Sequence, residues 1–178
     1  MPNIIVPTPE QTISRSLPDL RRGLALCIQA AVPEARVYSR WPLKYSIGDT
    51  VALLKSNRDN GRVHAWIMAV NRLEPVTERK AGGNYMEWDL SVRIWGFAGY
   101  EFGSDDDTTQ DIIENEARLI STVIYLNRLH LGLDDPRGLK NVGLLTFDDI
   151  DVHGMESSGD VHVAQGTLAI TLSETYQL

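Results

Sequence analysis

The chain has 178 residues, a formal net charge of -7 and a single cysteine, Cys27. This length is enough for one domain with its own core, and a lone cysteine cannot form an internal disulfide, which favours the cytoplasm or a particle assembled there. The acidic balance, without any lysine or arginine run, excludes tight binding of a phosphate backbone as the main role. We find no secretory signal pattern and no run of about 18 apolar residues, so we expect no membrane association.

The first predicted element is an amphipathic helix. Ser16 can cap a helix that begins at Leu17, with Pro18 in the first turn, where its missing amide is tolerated. The helix should end before Pro33, because the residue before a proline disfavours helical geometry. Its apolar residues recur at helical spacing: Leu17, Leu20, Leu24, Cys27, Ile28 and Ala31. We therefore expect the thiol of Cys27 to be a small buried apolar group and not a nucleophile.

Three strands are predicted next. Residues 35–40 indicate a short strand, and residues 63–70 are apolar on both faces, which is typical of a central strand covered on both sides. Residues 85–95 alternate strictly between polar and apolar side chains, so one face of this strand should join the core. The stretch 74–84, with a proline and two glycines, predicts a mobile arm. The glycine-rich stretch 96–103 predicts a turn or bulge at the end of the alternating strand.

The second predicted helix runs from about Thr109 to Leu129, with the aspartates of residues 105–107 at its positive end. Those aspartates lack the glycine and glutamate spacing of a calcium-binding EF-hand loop. The helix carries a wide apolar stripe predicted to face the core: Ile112, Ile113, Ala117, Leu119, Ile120, Val123, Ile124 and Leu126.

Two last strands, near 145–153 and 161–176, form a closing β-hairpin around the turn-forming residues MESSGD. The elements together predict an α+β fold in which a mostly antiparallel sheet of about four to six strands packs against two main helices. No repeat or linker divides the chain, so we expect one domain over residues 1–178 with an extended N-terminal segment at 1–15.

Four residues of the predicted closing hairpin are possible metal ligands. If the closing hairpin turns symmetrically about residues 157–158, His153 and His162 become opposed cross-strand neighbours, with Asp151 and Asp160 nearby. A facing pair of histidines on a polar sheet face is more often solvated or hydrogen-bonded. We therefore expect no metal and no cofactor, and keep these four residues as candidates.

The sequence gives no local signature of an enzyme. GxSxG, HExxH, GxxxxGK[ST] and GxGxxG are absent, and His64 and His130 lie in separate predicted elements with no evident triad. We expect a binding or assembly module. An enzyme that uses the His153 and His162 hairpin stays open as an alternative, as does a sheet-based adaptor that acts as a monomer or dimer.

The order of elements resembles the tail terminator, or tail completion, proteins of long-tailed bacteriophages. The similarity lies in an N-terminal helix (SLPDLRRGLALCIQAAV), a short strand (ARVYSR), two long strands separated by an arm (VHAWIMAVNRL and YMEWDLSVRIWGF), a long helix (TTQDIIENEARLISTVIYLNRL) and a closing hairpin (LLTFDDIDVHG and HVAQGTLAITLSETYQL). Members of that family form a hexameric ring that caps the tail tube and joins it to the head-side connector, and they offer no catalytic residues to carry over.

The resemblance implies a virion protein assembled in the host cytoplasm. Its partners would be its own copies, the tail tube protein and a connector or stopper protein, with DNA passing transiently through the ring. The connection 41–61 and the arm 74–84 are long for the family, so another neck or tube protein stays an alternative.

Contacts between subunits are expected at the N-terminal segment and at the arm, because heterologous rings use two different patches on each subunit. The candidate interface residues are three charged residues of the arm and three aromatic residues for which burial in the core is the alternative: Glu78, Arg79, Lys80, Trp41, Tyr100 and Phe102.

Overall fold

The computed structural model describes residues 17–40, 54, 63–76, 85–99, 106–131, 139–155 and 159–175. Within these ranges the elements follow in the order α1 (Leu17–Ala31), β1 (Arg36–Tyr38), β2 (His64–Pro75), β3 (Tyr85–Gly99), α2 (Asp106–Leu126), β4 (Leu139–Val142), β5 (Thr146–Met155) and β6 (Gly159–Thr175). None of the described helices is long and apolar enough to cross a lipid bilayer.

The strands form one six-stranded sheet in the order β1-β2-β3-β6, with both β4 and β5 paired to β6. The sheet is mixed because β1 runs parallel to β2, while every other pair is antiparallel. Side chains of α1 and α2 share one large core with one face of the sheet. The predicted α+β fold with two helices on a mostly antiparallel sheet is confirmed.

Helix α1 begins and ends where the sequence predicts, at Leu17 and before Pro33. Its last turn closes with a 2.9 Å hydrogen bond from the Val32 amide to the Ile28 carbonyl. The residues that α1 buries are Leu20, Gly23, Leu24, Cys27 and Ile28. Burial of these side chains fixes α1 against the sheet, since a helix of this length gains most of its stability from packing.

Strand β2 is buried on both faces near its start, as its sequence predicts. Trp66 and Met68 enter the helix-side core, and Ala65 and Ile67 belong to a second apolar cluster on the other face. The strand runs on to Pro75, and the Val76 amide still donates to the Glu87 carbonyl. The predicted arm therefore begins later than residue 74, and residues 77–84 lie outside the described part of the chain.

Strand β3 confirms the alternation in its sequence, because Leu90, Val92 and Ile94 are buried in the helix-side core. The strand continues to Gly99, so the turn or bulge predicted over residues 96–103 does not begin at Gly96, and residues 100–103 lie outside the described part of the chain. A Cβ atom on Gly96 would lie 2.5–2.7 Å from three atoms of the Trp66 ring. Glycine stands here because the indole lies across the strand, a close approach that glycine permits.

Helix α2 begins three residues before the predicted Thr109 and ends at Leu126 instead of Leu129. The next turn closes when the amides of His130 and Leu131 both donate to the Asn127 carbonyl. Leu131 has a φ of 47°, and its side chain is buried in the core. We attribute the early end of the helix to this left-handed turn. The left-handed backbone of Leu131 is strained, and burial of the leucine side chain offsets that strain.

The predicted core stripe of α2 is too wide. Ile113, Ala117, Ile120 and Ile124 are buried, but the predicted core residues Ile112, Leu119 and Leu126 are exposed. Neighbours along a helix differ by about 100° in direction, so the sheet beneath Ile113 and Ile120 does not reach the stripe one residue earlier.

Candidate assembly surfaces

A buried polar cluster joins α2 to the sheet. His64 Nε2 lies 2.7 Å from Glu116 Oε1, and Trp66 Nε1 donates to Glu116 Oε2 over 2.8 Å. His64 and Trp66 share one face of β2, since strand side chains repeat with period two, and Glu116 lies on α2 above them. Both carboxylate oxygens of Glu116 therefore have a hydrogen-bond partner on β2, and the cluster holds α2 at one point on the sheet.

The contact of Glu116 with His64 and Trp66 was not among the features predicted from the sequence. A signal was present, because Glu116 is a charged residue inside the apolar stripe between Ile113 and Ala117. An acid in that position needs a buried partner, and a histidine and an indole are among the donors that can supply one. The partner could not be assigned without the packing of α2 over β2.

The face of the sheet away from the helices is polar over much of its length. Asp89 accepts a 2.7 Å hydrogen bond from Thr171, and Trp95 donates to Gln165 over 3.2 Å. Cross-strand register places further charged residues on this face, which together number four acids and three bases among the described strand side chains: Glu74, Glu87, Asp89, Asp148, Arg36, Arg72 and Arg93. We name this surface the acidic sheet face.

Among the described strands, both edges of the sheet lack a partner over long stretches. β1 covers only Ala65 to Ile67 on the outer side of β2, and no described strand pairs with β2 there from Met68 to Pro75. β5 forms the opposite edge, and within the described residues it pairs with β6 alone. The residues of β2 from Asn71 to Pro75 are exposed.

The two open edges have complementary directions. β2 is antiparallel to β3, β3 to β6, and β6 to β5, so β5 runs antiparallel to β2. Each edge also contains a bulge, between Val70 and Arg72 in β2 and between Phe147 and Asp149 in β5. Bulges and charges on an edge strand are the usual protection against uncontrolled pairing.

The register of the closing hairpin differs from the symmetric turn on which the four candidate metal ligands depended. The closing hairpin pairs Met155 with Gly159, so His162 lies opposite Val152 and His153 lies opposite Val161. The turn is centred half a residue earlier than predicted, and the two histidines are therefore not cross-strand partners. His162 is only 2% exposed.

Among the described residues, no group of three histidine, cysteine, aspartate or glutamate side chains could hold a metal ion. Asp151 and Asp160 lie at backbone positions opposite Val163 and Gly154. Cys27 is buried in α1, and burial raises the pKa of its thiol, which disfavours the reactive thiolate.

The six predicted interface residues all lie outside the described part of the chain, and their roles stay predictions: Trp41, Glu78, Arg79, Lys80, Tyr100 and Phe102. The described residues instead show the two sheet edges, the acidic sheet face and an exposed apolar stripe on α2.

Comparison with known proteins gives little sequence similarity. No family model matches the chain, and no curated protein matches it. A solved structure of a chain from the virion of a native gene transfer agent particle aligns with 89% of this chain and 99% of its own length, at 12% identity and a TM-score of 0.43. A TM-score below 0.5 says nothing about the function of this chain.

Proposed function

We propose that this chain is a structural protein of a phage-like virion that forms a ring capping the tail tube and joining it to the head-side connector. The observation that carries the proposal is the pair of sheet edges that run in opposite directions and that no described strand covers. Two different and complementary edges on one subunit suit head-to-tail contacts, which close into a ring when the rotation between subunits is right.

In the proposed ring, the β5 edge of one subunit adds to the Met68–Pro75 edge of β2 in the next subunit. The added pair is antiparallel, which continues the arrangement of the rest of the sheet. The observed order of helices and strands supports this role, because it is the order that resembles the tail terminators. The hexameric count is implied by that resemblance alone.

The acidic sheet face would line the channel, with α1 and α2 on the outside of the ring. Four carboxylates against three guanidinium groups leave this face net negative by one charge among the described strand side chains. A negative wall does not bind phosphates, so DNA passes without being held. The role is one of shape and adhesion, without bond making, in a particle assembled in the host cytoplasm.

The channel assignment can be tested with Asp89→Lys in assembled particles. We expect normal assembly and slower DNA release, with the delay shrinking as salt is raised. Glu114→Lys, on the exposed outer face of α2, is the matched control and should leave release unchanged. Equal release from both variants and the wild type would refute the channel assignment.

The role itself can be tested by mixing the purified chain with tail tubes that lack a terminator and imaging the tube ends. We expect ring-shaped density at one end of each tube and no further tube growth. Tubes that keep growing and carry no extra density, with the chain left in solution, would overturn the proposal.

A further inference from the structure

Strands β2 and β5, which provide the two uncovered sheet edges among the described strands, each contain one bulge. The register of β2 with β3 shifts between Val70 and Arg72, and the register of β5 with β6 shifts between Phe147 and Asp149. Side chains on a strand alternate between the two faces, and the extra residue of a bulge displaces that alternation by one position. Each edge therefore changes, at its bulge, which positions face the helices.

On β2 the helix-side positions are even-numbered before the bulge and odd-numbered after it. Met68 is buried in the helix-side core, and Val70 packs against that core. Beyond the bulge, Leu73 pairs with the core residue Leu90 and so lies on the helix side, while Arg72 belongs to the acidic sheet face. Leu73 is 44% exposed at this uncovered part of the edge.

Strand β5 shows the same change in the order that an antiparallel partner requires. Before the bulge, Phe147 packs against the helix-side core, and Asp148 accepts a 3.4 Å hydrogen bond from Thr167 on the acidic sheet face. Beyond the bulge, the backbone position of residue 150 lies opposite Ala164, which is buried in the helix-side core. Helix-side positions are therefore odd-numbered before the β5 bulge and even-numbered after it.

We propose that the edges of neighbouring subunits pair in a single register, in which Arg72 of one subunit lies opposite Asp148 of the next and Leu73 lies opposite Phe147. The inference rests on the proposed ring and specifies which residues fit its subunits together. In this register the two bulges face each other, so helix-side positions meet helix-side positions on both sides of them. A shift of two residues in either direction would bring helix-side positions against positions of the acidic sheet face next to the bulges.

The backbone groups of the two edges also match in this register. The Val76 amide donates to the Glu87 carbonyl, and hydrogen-bonded positions alternate along an antiparallel ladder. Arg72 therefore directs its backbone groups to β3, and Leu73 directs its groups outward. The same alternation, carried through the registers of β3 and β6, directs the backbone groups of Phe147 outward. Leu73 and Phe147 can then form a hydrogen-bonded pair, with the helices of both subunits on one side of a continuous sheet.

The charges near the contact support the same register. Arg72 lies opposite Asp148, so opposite charges meet on the acidic sheet face. Glu74, which forms an ion pair with Arg72 on its own strand, lies opposite a threonine. A shift of two residues in one direction would bring Glu74 opposite Asp148, with two carboxylates facing each other. Asp89 and Arg93 of β3 add one charge of each sign on either side of Arg72.

The two acids beyond the β5 bulge are compatible with this register. The backbone positions of Asp149 and Asp151 fall opposite Asn71 and Ala69, neither of which carries a charge. The contact therefore places none of these acids of β5 directly opposite an acid of β2.

Disulfide cross-linking on capped tail tubes tests the register. Residues 74 and 146 would form a non-hydrogen-bonded pair, in which Cα atoms lie about 4.5 Å apart and a disulfide can form. We would combine Glu74→Cys with Thr146→Cys in a Cys27→Ser chain, which keeps Arg72 and Asp148 in place. The matched controls are Glu74→Cys with Asp148→Cys and Arg72→Cys with Thr146→Cys, because each displaces the pair by two positions on the same face.

We expect a covalent ladder from the pair at positions 74 and 146 and at least tenfold less cross-linking from either control pair. Equal or stronger cross-linking from a control pair would overturn the register and leave the ring in place. Capped tubes on which all three pairs stay monomeric would overturn the register together with the edge contact. A wild-type chain that fails to cap tubes would reject the proposed function, and the register with it.

Charge exchange gives a second readout that does not depend on cysteine. Arg72→Asp should raise at least tenfold the chain concentration that caps half of the tubes, because two acids then face each other. Adding Asp148→Arg should restore capping, whereas adding Asp111→Arg, at an exposed position on α2, makes the same change in net charge and should not. Restoration by both additions, or by neither, would overturn the pairing of Arg72 with Asp148.

Discussion

At the scale of single residues, Trp66 connects more of the fold than any residue the sequence singled out. Its ring lies across Gly96, makes an edge-to-face contact with Phe147 at 5.8 Å between centroids, and donates to Glu116. One side chain thus links β2 to β3, to β5 and to α2. The position of this indole explains why residue 96 is a glycine and why residue 116 is a carboxylate.

Gly96→Ala should destabilise the chain by about 2 kcal/mol, because the added methyl group would overlap the Trp66 ring. Urea unfolding followed by circular dichroism measures the change. In the Trp66→Leu background the same substitution should cost much less, since the smaller side chain leaves room. A full penalty in both backgrounds would show that the overlap with the indole is not the cause.

Glu116→Ala should cost about 3 kcal/mol, because it leaves the buried Trp66 N–H and the His64 ring without their carboxylate. Glu114→Ala is the matched control on the same helix, and we expect a change below about 0.5 kcal/mol at this exposed position. Equal unfolding free energies for the two variants would contradict a fastening role for Glu116.

At the scale of elements, local periodicity predicted most of the architecture. The α1 stripe and the alternation of β3 are set by residues close in sequence, and the structure confirms both. The exposed side of α2 could not be predicted, because it depends on where the sheet ends beneath the helix. The hairpin register failed for a similar reason, since a half-residue change in the turn exchanges the partners of both histidines.

Substitutions on α2 can distinguish its two apolar stripes. Ile120→Ala should lower the unfolding free energy by about 3 kcal/mol, because this buried side chain packs in the helix-side core. Leu119→Ala, one residue earlier and 44% exposed, should change the stability of the monomer by less than about 0.5 kcal/mol. Similar losses for the two variants, measured at concentrations where the chain is monomeric, would refute the narrow core stripe.

At the scale of the whole molecule, the sheet separates three kinds of surface. One face holds the helices and the main core, the other presents the acidic sheet face, and the two edges stay open within the described residues. The sequence predicted a sheet and two helices but not which edges would be free, because edge status depends on the strand order. The candidate assembly surfaces therefore depend on the tertiary structure and not on local sequence patterns.

The edge bulges and charges oppose uncontrolled pairing between copies. Exposed Arg72 and Glu74 form an ion pair on the β2 edge, and Pro75 ends the strand without an amide donor. In the proposed ring, a tail tube would hold the subunits side by side and so favour a pairing that these features oppose between free copies. Local concentration, more than edge affinity, would then drive ring closure.

The most direct test of the ring is disulfide cross-linking between its proposed edges on tail tubes. Cysteine at position 72 or 74 would be combined with cysteine at position 146 or 148 in a Cys27→Ser chain. At least one combination should give a covalent ladder ending in a closed hexamer after oxidation, while each single cysteine gives none. Capped tubes on which all four combinations stay monomeric would contradict edge-to-edge closure of the sheet.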